Sequence, residues 1–196
     1  MNLVDRAKNI IMTPKTEWPV IAGETPNISQ IITGYVVPLA LIPLVASILG
    51  GLLFEHFMST GYLIAMAVVT FIVVILAVFL AAFVIDFLAP NFGSEKNLGR
   101  SVQLVAYSYT PAWIAGILNI VPALGIIAAL AGIYGIYLMY LGLPAIKKTP
   151  TDKVVVYLVV AIIVLLVIYF ILAAILTAIV VAIVGVGAVT SGAIGM

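Results

Sequence analysis

The chain of 196 residues has no cysteine and a single histidine, His56. Without cysteine it has no disulfides, thiolate nucleophiles or cysteine-ligated metals, and one histidine excludes a multi-histidine metal site. Charge is also scarce, because only 8% of the residues are Asp, Glu, Lys or Arg, against about 25% in soluble domains. With 65% apolar residues, a soluble fold of this size could not cover its surface. The composition therefore indicates an integral membrane protein.

Other features that the sequence lacks exclude several classes of function. The net charge is +1, so charge indicates neither nucleic acid nor an acidic partner. The sequence contains no nucleophile elbow, no zinc-protease motif and no glycine-rich phosphate loop. We therefore expect no enzyme activity, no catalytic residues, no cofactor and no metal. Residues 1–30 contain Asp5, Glu17 and three prolines, which is unlike a cleaved signal peptide.

Long apolar runs are what the chain has in abundance, and we predict that five of them span the membrane. They cover about residues 28–54, 62–89, 101–120, 126–146 and 154–184. A spanning helix needs about 20 mainly apolar residues, which each run supplies. The predicted fold class is all-α, a polytopic helical bundle in the membrane.

Prolines mark the start, the bends and one of the breaks of these runs. Thr25 and Pro26 should begin the first span as its N-cap and first helical residue. Pro38 and Pro43 should kink that span because each lacks a backbone N–H. Pro122 lies in the turn that separates the third and fourth spans.

The basic residues predict the orientation. All eight fall in three segments, 1–27, 90–100 and 147–153, and five spans place these segments on one side. The opposite side, made of 55–61, 119–125 and the C-terminal tail, has no Lys or Arg. The positive-inside rule then puts the N-terminus in the cytoplasm and the C-terminus outside. Four spans would place the basic residues of 147–153 opposite those of 90–100.

We predict three parts in the chain. Residues 1–27 form a cytoplasmic segment, 28–185 the membrane domain, and 186–196 a flexible glycine-rich tail. Within the first part, the pattern of 2–12 predicts a short amphipathic helix suited to the membrane interface, unless this terminus is poorly ordered. Pro14 should end the helix, whose apolar face includes Ile10 and whose polar face includes Arg6. Trp18 is a candidate anchor at the headgroup level.

Four segments of the chain resemble the Yip domain family of membrane proteins, the Ypt-interacting proteins and their bacterial relatives. The most specific is GIYGIYLMYLGLPAIKKTPTDKVVVY (132–157). PKTEWPVI (14–21), LAPNFG (88–93) and VAYSYTPAW (105–113) agree and occur in the right order. The resemblance covers nearly the whole chain and implies five spans with a cytoplasmic N-terminus.

The resemblance also bears on function. Eukaryotic members of the family act in vesicle trafficking and bind prenylated Rab-type GTPases. Those proteins have a long cytoplasmic N-terminal region, whereas this chain has a short one and lacks a DLYGP-like motif. The chain therefore resembles a prokaryotic member, which implies a location in the cytoplasmic (inner) membrane.

Asp86 is the one acid inside an apolar run, about four residues from the loop 90–100. Acids within a membrane are costly and are functional candidates. Asp86 could bind a cation or proton. It could instead accept hydrogen bonds at the membrane boundary from the amides of Asn91, Phe92 and Gly93, or from Tyr or Ser hydroxyls.

Polar side chains concentrate on the third and fourth spans. They could line a cavity, or they could join helices by hydrogen bonds and form an aromatic belt. The candidate cluster comprises Asp86, Asn91, Tyr107, Thr110, Asn119, Tyr137 and Tyr140, with Gln103 and Tyr134 nearby in sequence.

Two further features have competing interpretations. Glu55 and His56 are adjacent after the first span, and we interpret them as a solvated loop pair because a metal needs more ligands. The pairs Ala128/Gly132 and Ala131/Gly135 have small residues four apart, which permits close helix contact. That contact could be internal or could join copies of the chain.

Two functions remain open. The first is a non-enzymatic Yip-like protein with a role in membrane organisation, trafficking-like processes or protein interaction, whose partners are membrane lipids and a protein or a second copy. The second is a small transporter or channel with a polar path near Asp86 and the third and fourth spans. A continuous hydrated cavity would distinguish the transporter.

Overall fold

The structure is a computed structural model, which describes residues 2–54 and 59–193. Over these residues the chain is helical apart from its turns, with no strand. Four stretches are long and apolar enough to cross a membrane: Ile28–Phe54, Thr60–Phe92, Gly125–Lys147 and Val154–Leu172. A helix satisfies its own backbone polar groups, which an apolar segment in lipid requires. The predicted all-α membrane class is confirmed.

The described residues form nine α-helices. They are α1 (Leu3–Met12), α2 (Pro14–Ala22), α3 (Ile28–Ile31), α4 (Val37–Phe54), α5 (Thr60–Leu88), α6 (Leu98–Ser108), α7 (Thr110–Ala115), α8 (Gly125–Lys147) and α9 (Val154–Ala193). A π-helical turn, Ile32–Val36, joins α3 to α4. Shorter 3₁₀ turns cover Ala89–Phe92, Gly116–Ile120 and Pro122–Leu124.

The first span begins at Ile28, as the apolar run predicted, but its N-cap lies two residues later than expected. Asn27 is the N-cap, and its side chain accepts a hydrogen bond from the amide of Gln30 at 3.0 Å, so the assignment to Thr25 and Pro26 was wrong. The π-turn then lies directly before Pro38. Proline has no N–H for the carbonyl four residues back and its ring crowds that carbonyl, so a widened turn relieves the clash.

The third predicted span is not one continuous helix. α6 ends at Ser108, α7 begins at Thr110, and a 3₁₀ turn follows from Gly116. Pro111 cannot donate to the carbonyl of Tyr107, and the hydroxyl of Thr110 donates to that carbonyl instead, at 2.8 Å. The count of five spans depends on this broken segment, and both the count and the orientation stay predictions.

α6 lies at the centre of the bundle. All of its residues from Ser101 to Ser108 are buried, and it packs against α5 and α8. The contact with α8 is close because two glycines face it. A Cβ on Gly135 would lie 2.6 Å from the carbonyl oxygen of Ser108, and one on Gly142 would lie 2.5 Å from Cδ1 of Leu104. The Gly135 contact is therefore internal.

The N-terminal segment is an ordered pair of helices. The helix predicted over 2–12 is confirmed as α1, and α2 follows at once and packs along α8. Ile10 is fully buried, as expected for the apolar face. Arg6, expected on the polar face, is also buried, and Trp18, expected at the headgroups, is 1% exposed against Tyr107 and Gly142. The expectations for Arg6 and Trp18 were wrong because both side chains pack against protein.

The chain divides into two compact units, Met1–Leu158 and Val159–Met196. The first contains α1 to α8 and the start of α9. In the second, α9 continues to Ala193 and contains no charged residue. The proposed division into 1–27, 28–185 and 186–196 stays a prediction.

Candidate functional site

Asp86 lies in a buried ion pair with Lys147. Nζ of Lys147 is 2.8 Å from Oδ1 of Asp86, and the two residues are 0% and 7% exposed. The same oxygen accepts hydrogen bonds from the amide of Asn97 at 2.7 Å and from the hydroxyl of Ser101 at 3.2 Å. The charge of the acid is therefore matched by a cation and two neutral donors, as a buried carboxylate requires.

The donors are partly those expected. A Ser hydroxyl, that of Ser101, and a loop amide do bond Asp86, but the amide is that of Asn97 and not that of Asn91, Phe92 or Gly93. Phe92 instead stacks on the ring of Tyr157 at 4.7 Å. Asn91 is exposed.

Lys147 is tied into the same loop by its backbone. Its carbonyl accepts a hydrogen bond from the amide of Glu95 at 2.8 Å, and its Nζ donates to the carbonyl of Asn97 at 3.2 Å. Close by, the hydroxyls of Ser94 and Thr149 are hydrogen-bonded at 2.8 Å. The end of α5, the start of α6 and the end of α8 are thus joined in one buried polar layer.

A second ionic cluster, the Arg6 cluster, anchors the N-terminal helices. The guanidinium of Arg6 donates to the carboxylates of Glu17 and Glu24. Its Cζ lies 5.3 Å from the ring centroid of Tyr107, within the range of a cation–π contact. Arg100 adds a third tie, because its guanidinium donates to the carbonyl of Ala22 at 2.9 Å.

Tyr35 joins this cluster to the first span. Its hydroxyl and that of Thr110 are 2.7 Å apart, and its ring meets the ring of Tyr107 edge-on with centroids 4.8 Å apart. Tyr107 and Thr110 are therefore brought together as members of one site, with Tyr35 as a partner that sequence reasoning missed. Tyr35 is the one tyrosine of the first predicted span, and this was the available signal.

A polar cavity of about 320 Å³ lies over Arg6, Tyr35 and Tyr107. Its wall comes from the start of α1, the linker before α3, the first span and α6. The lining is mainly amide, hydroxyl and charged, and includes Asn2, Glu24, Asn27, Gln30 and Gln103. Cavities of this size are at the lower end of the range that takes small molecules, about 300–1,000 Å³.

The remaining predicted residues lie elsewhere. Asn119 lines a different cavity of about 360 Å³, between α4 and α5, which is mostly apolar. Tyr137 and Tyr140 are each 41% exposed on α8, and Tyr134 donates to the carbonyl of Ile11 at 2.7 Å. The predicted cluster is thus divided among the Asp86 layer, the Arg6 cluster, the second cavity and the surface of α8.

Metal binding finds no support in the described part of the chain. Among residues 2–54 and 59–193, no three His, Cys, Asp or Glu side chains are grouped so that they could hold a metal. Glu55 and His56 lie outside the described residues.

Comparisons with known proteins identify the family. The Yip1 domain model matches residues 8–191. Among curated proteins, the inner membrane protein YohC of Escherichia coli K12 is 26% identical over 145 residues, which cover 67% of this chain and 73% of the relative. The YohC protein of Escherichia coli O6:H1 strain CFT073 matches equally. No solved structure matches.

These matches agree with the apolar helices and with the resemblance in the sequence. The predicted location is confirmed, because the relative is an inner membrane protein and the chain has several helices able to cross a membrane. The chain is a multi-pass inner membrane protein and belongs to the Yip1 domain family.

Proposed function

We propose that this protein is a non-enzymatic component of the inner membrane that organises the membrane by binding a protein partner at its cytoplasmic end. The proposal rests on one observation, which is that the buried charged side chains are paired with each other. The buried cations Arg6 and Lys147 are paired with Glu17, Glu24 and Asp86, and the pairs hold helices together. Such pairs support a structural role, because each buried cation is already matched by a carboxylate.

The partner surface in this proposal is the outer face of α1. Val4 and Met12 are 68% and 71% exposed, and the exposed Lys8 lies between them on the same face. The opposite face of α1 is held on the bundle through Arg6, so the outward face is presented on an anchored helix. An anchored surface loses less conformational entropy on binding than a free terminus does.

The proposal includes the five-span topology. We take Leu98–Ile120 as one more crossing, third in chain order, because 23 residues at about 1.5 Å each extend about 34 Å. The N-terminal helices then face the cytoplasm together with the basic residues of 90–100 and 147–153, and the C-terminus lies outside.

Photo-crosslinking in cells tests the partner surface. A photoreactive residue at Val4 or Met12 should give a defined protein adduct, whereas one at Ile126, which is 76% exposed in a predicted span, should give lipid adducts only. The adduct should disappear in Arg6→Met, which releases α1. If positions 4 and 12 give the same adducts as position 126, the partner surface is not on α1.

A transporter or channel is the second candidate, and the two cavities favour it. Tyr35 lines the first and Ala40 the second, five residues apart on the first span, so the cavities are consecutive along one helix. Solute or proton flux through purified protein in vesicles, above that of empty vesicles, would favour this function over the first.

A further inference from the structure

We infer that the cavity of about 320 Å³ over the Arg6 cluster binds a small primary amine that also carries a hydrogen-bond acceptor. Ethanolamine and its phosphate ester have this chemistry, either as free molecules or as the headgroup of an aminophospholipid. This site is separate from the partner surface on α1 and does not depend on it.

Two polar side chains on the cavity wall can donate hydrogen bonds to a ligand, Gln103 and Tyr107. Gln103 is 2% exposed, and its Oε1 accepts from Arg100 at 3.1 Å, so its amide nitrogen is the end that can donate. Tyr107 is 7% exposed and carries a hydroxyl that can also donate. Both groups are therefore suited to a ligand acceptor.

The hydrogen bond from Arg100 also orients the amide of Gln103. A guanidinium can only donate, so the atom of Gln103 that faces Arg100 must be the carbonyl oxygen. The amide nitrogen is therefore the free end of a side chain that lines the cavity. Gln103 thus offers a donor and not an acceptor, and the ligand atom it contacts must be an acceptor.

The charges around the cavity favour a cationic ligand group. Arg6, Glu17 and Glu24 together carry a net charge of −1, and the side chain of Glu24 on the cavity wall is 38% exposed. The nearby cation Arg100 is directed to the carbonyls of Ile21 and Ala22, at the C-terminal end of α2, where the helix dipole is negative. An ammonium group can pair with Glu24 while remaining close to the aromatic wall.

Calorimetric titration of the full-length protein in detergent tests this site. Ethanolamine and phosphoethanolamine should bind, and glycerol 1-phosphate, which lacks the amine, should not. The Glu24→Gln protein should bind phosphoethanolamine about tenfold more weakly or worse, because the carboxylate that pairs with the ammonium is gone. The matched variant Tyr140→Phe, which removes an exposed hydroxyl from α8, should bind like the wild type.

A second variant leaves the ion pairs of the Arg6 cluster intact. Tyr107→Phe removes only the hydroxyl and retains the ring against Arg6, so the fold should be kept while affinity falls severalfold. Absence of amine binding by the folded wild type would overturn the inference. So would equal binding of glycerol 1-phosphate, or unchanged binding in both Glu24→Gln and Tyr107→Phe.

Nanodiscs distinguish the two sources of the amine. If the ligand is a headgroup, native mass spectrometry should show phosphatidylethanolamine retained on the wild type and lost from Glu24→Gln, with phosphatidylglycerol not retained on either. If free phosphoethanolamine binds but neither lipid is retained, the ligand is a soluble amine. Both results support the site. Retention of phosphatidylglycerol in preference to phosphatidylethanolamine would contradict the amine site.

Discussion

Lys147 at the end of α8 and Asp86 near the end of α5 form a buried ion pair, although they are 61 residues apart in the chain. The pair is closed by Asn97 and Ser101, which lie at the start of α6. One carboxylate oxygen therefore joins three helices of the bundle. Four predictions follow from this layer, the N-terminal anchor, the glycine contacts and the charge distribution.

Lys147→Met should destabilise the protein by about 3–5 kcal/mol, because it leaves the carboxylate of Asp86 buried without its cation. Asp86→Asn should have a similar effect, since it leaves the ammonium of Lys147 uncompensated. The double variant Asp86→Leu, Lys147→Met removes both charges and should recover part of the loss. Unfolding in detergent, followed by circular dichroism, measures these differences.

The chain provides a matched control for this test. Lys148 pairs with Glu95, but their side chains are 72% and 49% exposed. Lys148→Met should leave the unfolding midpoint nearly unchanged because exposed pairs contribute little. If Lys147→Met and Lys148→Met are equally mild, the Asp86 pair does not stabilise the bundle.

Arg6→Met should release the N-terminal helices from the bundle, because it leaves the buried carboxylate of Glu17 without its cation. Limited proteolysis at residues 12–25 should become severalfold faster than in the wild type. Lys8→Met, which changes an exposed lysine of the same helix, should be cut at the wild-type rate. Equal rates for both variants would show that Arg6 does not anchor α1.

Gly135→Ala should lower stability by about 1–3 kcal/mol, because the added methyl would lie 2.6 Å from the carbonyl oxygen of Ser108. Gly132→Ala is the control one turn away, where an added Cβ meets nothing within 4 Å. It should be neutral or slightly stabilising, since Ala favours helix over Gly. A change of oligomer mass in Gly132→Ala would instead place this small residue at a contact between copies.

Single cysteines should report the five-span topology cleanly, because the chain has none of its own. Lys96→Cys and Asp152→Cys should react with an impermeant maleimide only after the inner membrane is opened. Thr60→Cys and Ala123→Cys should react in intact spheroplasts. Labelling of Asp152→Cys in intact spheroplasts would indicate an odd number of spans before it and would contradict the five-span topology.

The helices themselves were largely predictable. Apolar runs located α5 and α8 and the start of α9, and the amphipathic pattern located α1. The break in the third predicted span was harder to predict. Pro111 lacks an N–H, and the hydroxyl of Thr110 takes its place as the donor to the carbonyl of Tyr107. The extra helix α2 was missed because Pro14 was interpreted only as the end of α1, although proline also suits the first position of a helix.

Partners of charged side chains were predicted least well. Lys147 was counted as a loop charge that sets orientation, yet it is fully buried against Asp86. Arg6 was assigned to a solvated face and is enclosed by Glu17 and Glu24. Nothing in the spacing of these residues distinguishes an exposed cation from a paired one.

By itself the sequence determined the membrane class, the helical content and the position of most helices. Those properties depend on local quantities, namely how apolar a run is and where a proline removes an N–H. Only the tertiary structure decided which acid meets which cation, and that Gln103 and Tyr107 line one cavity. Such contacts join residues far apart in the chain, and they depend on how the helices pack and rotate, which no local pattern specifies.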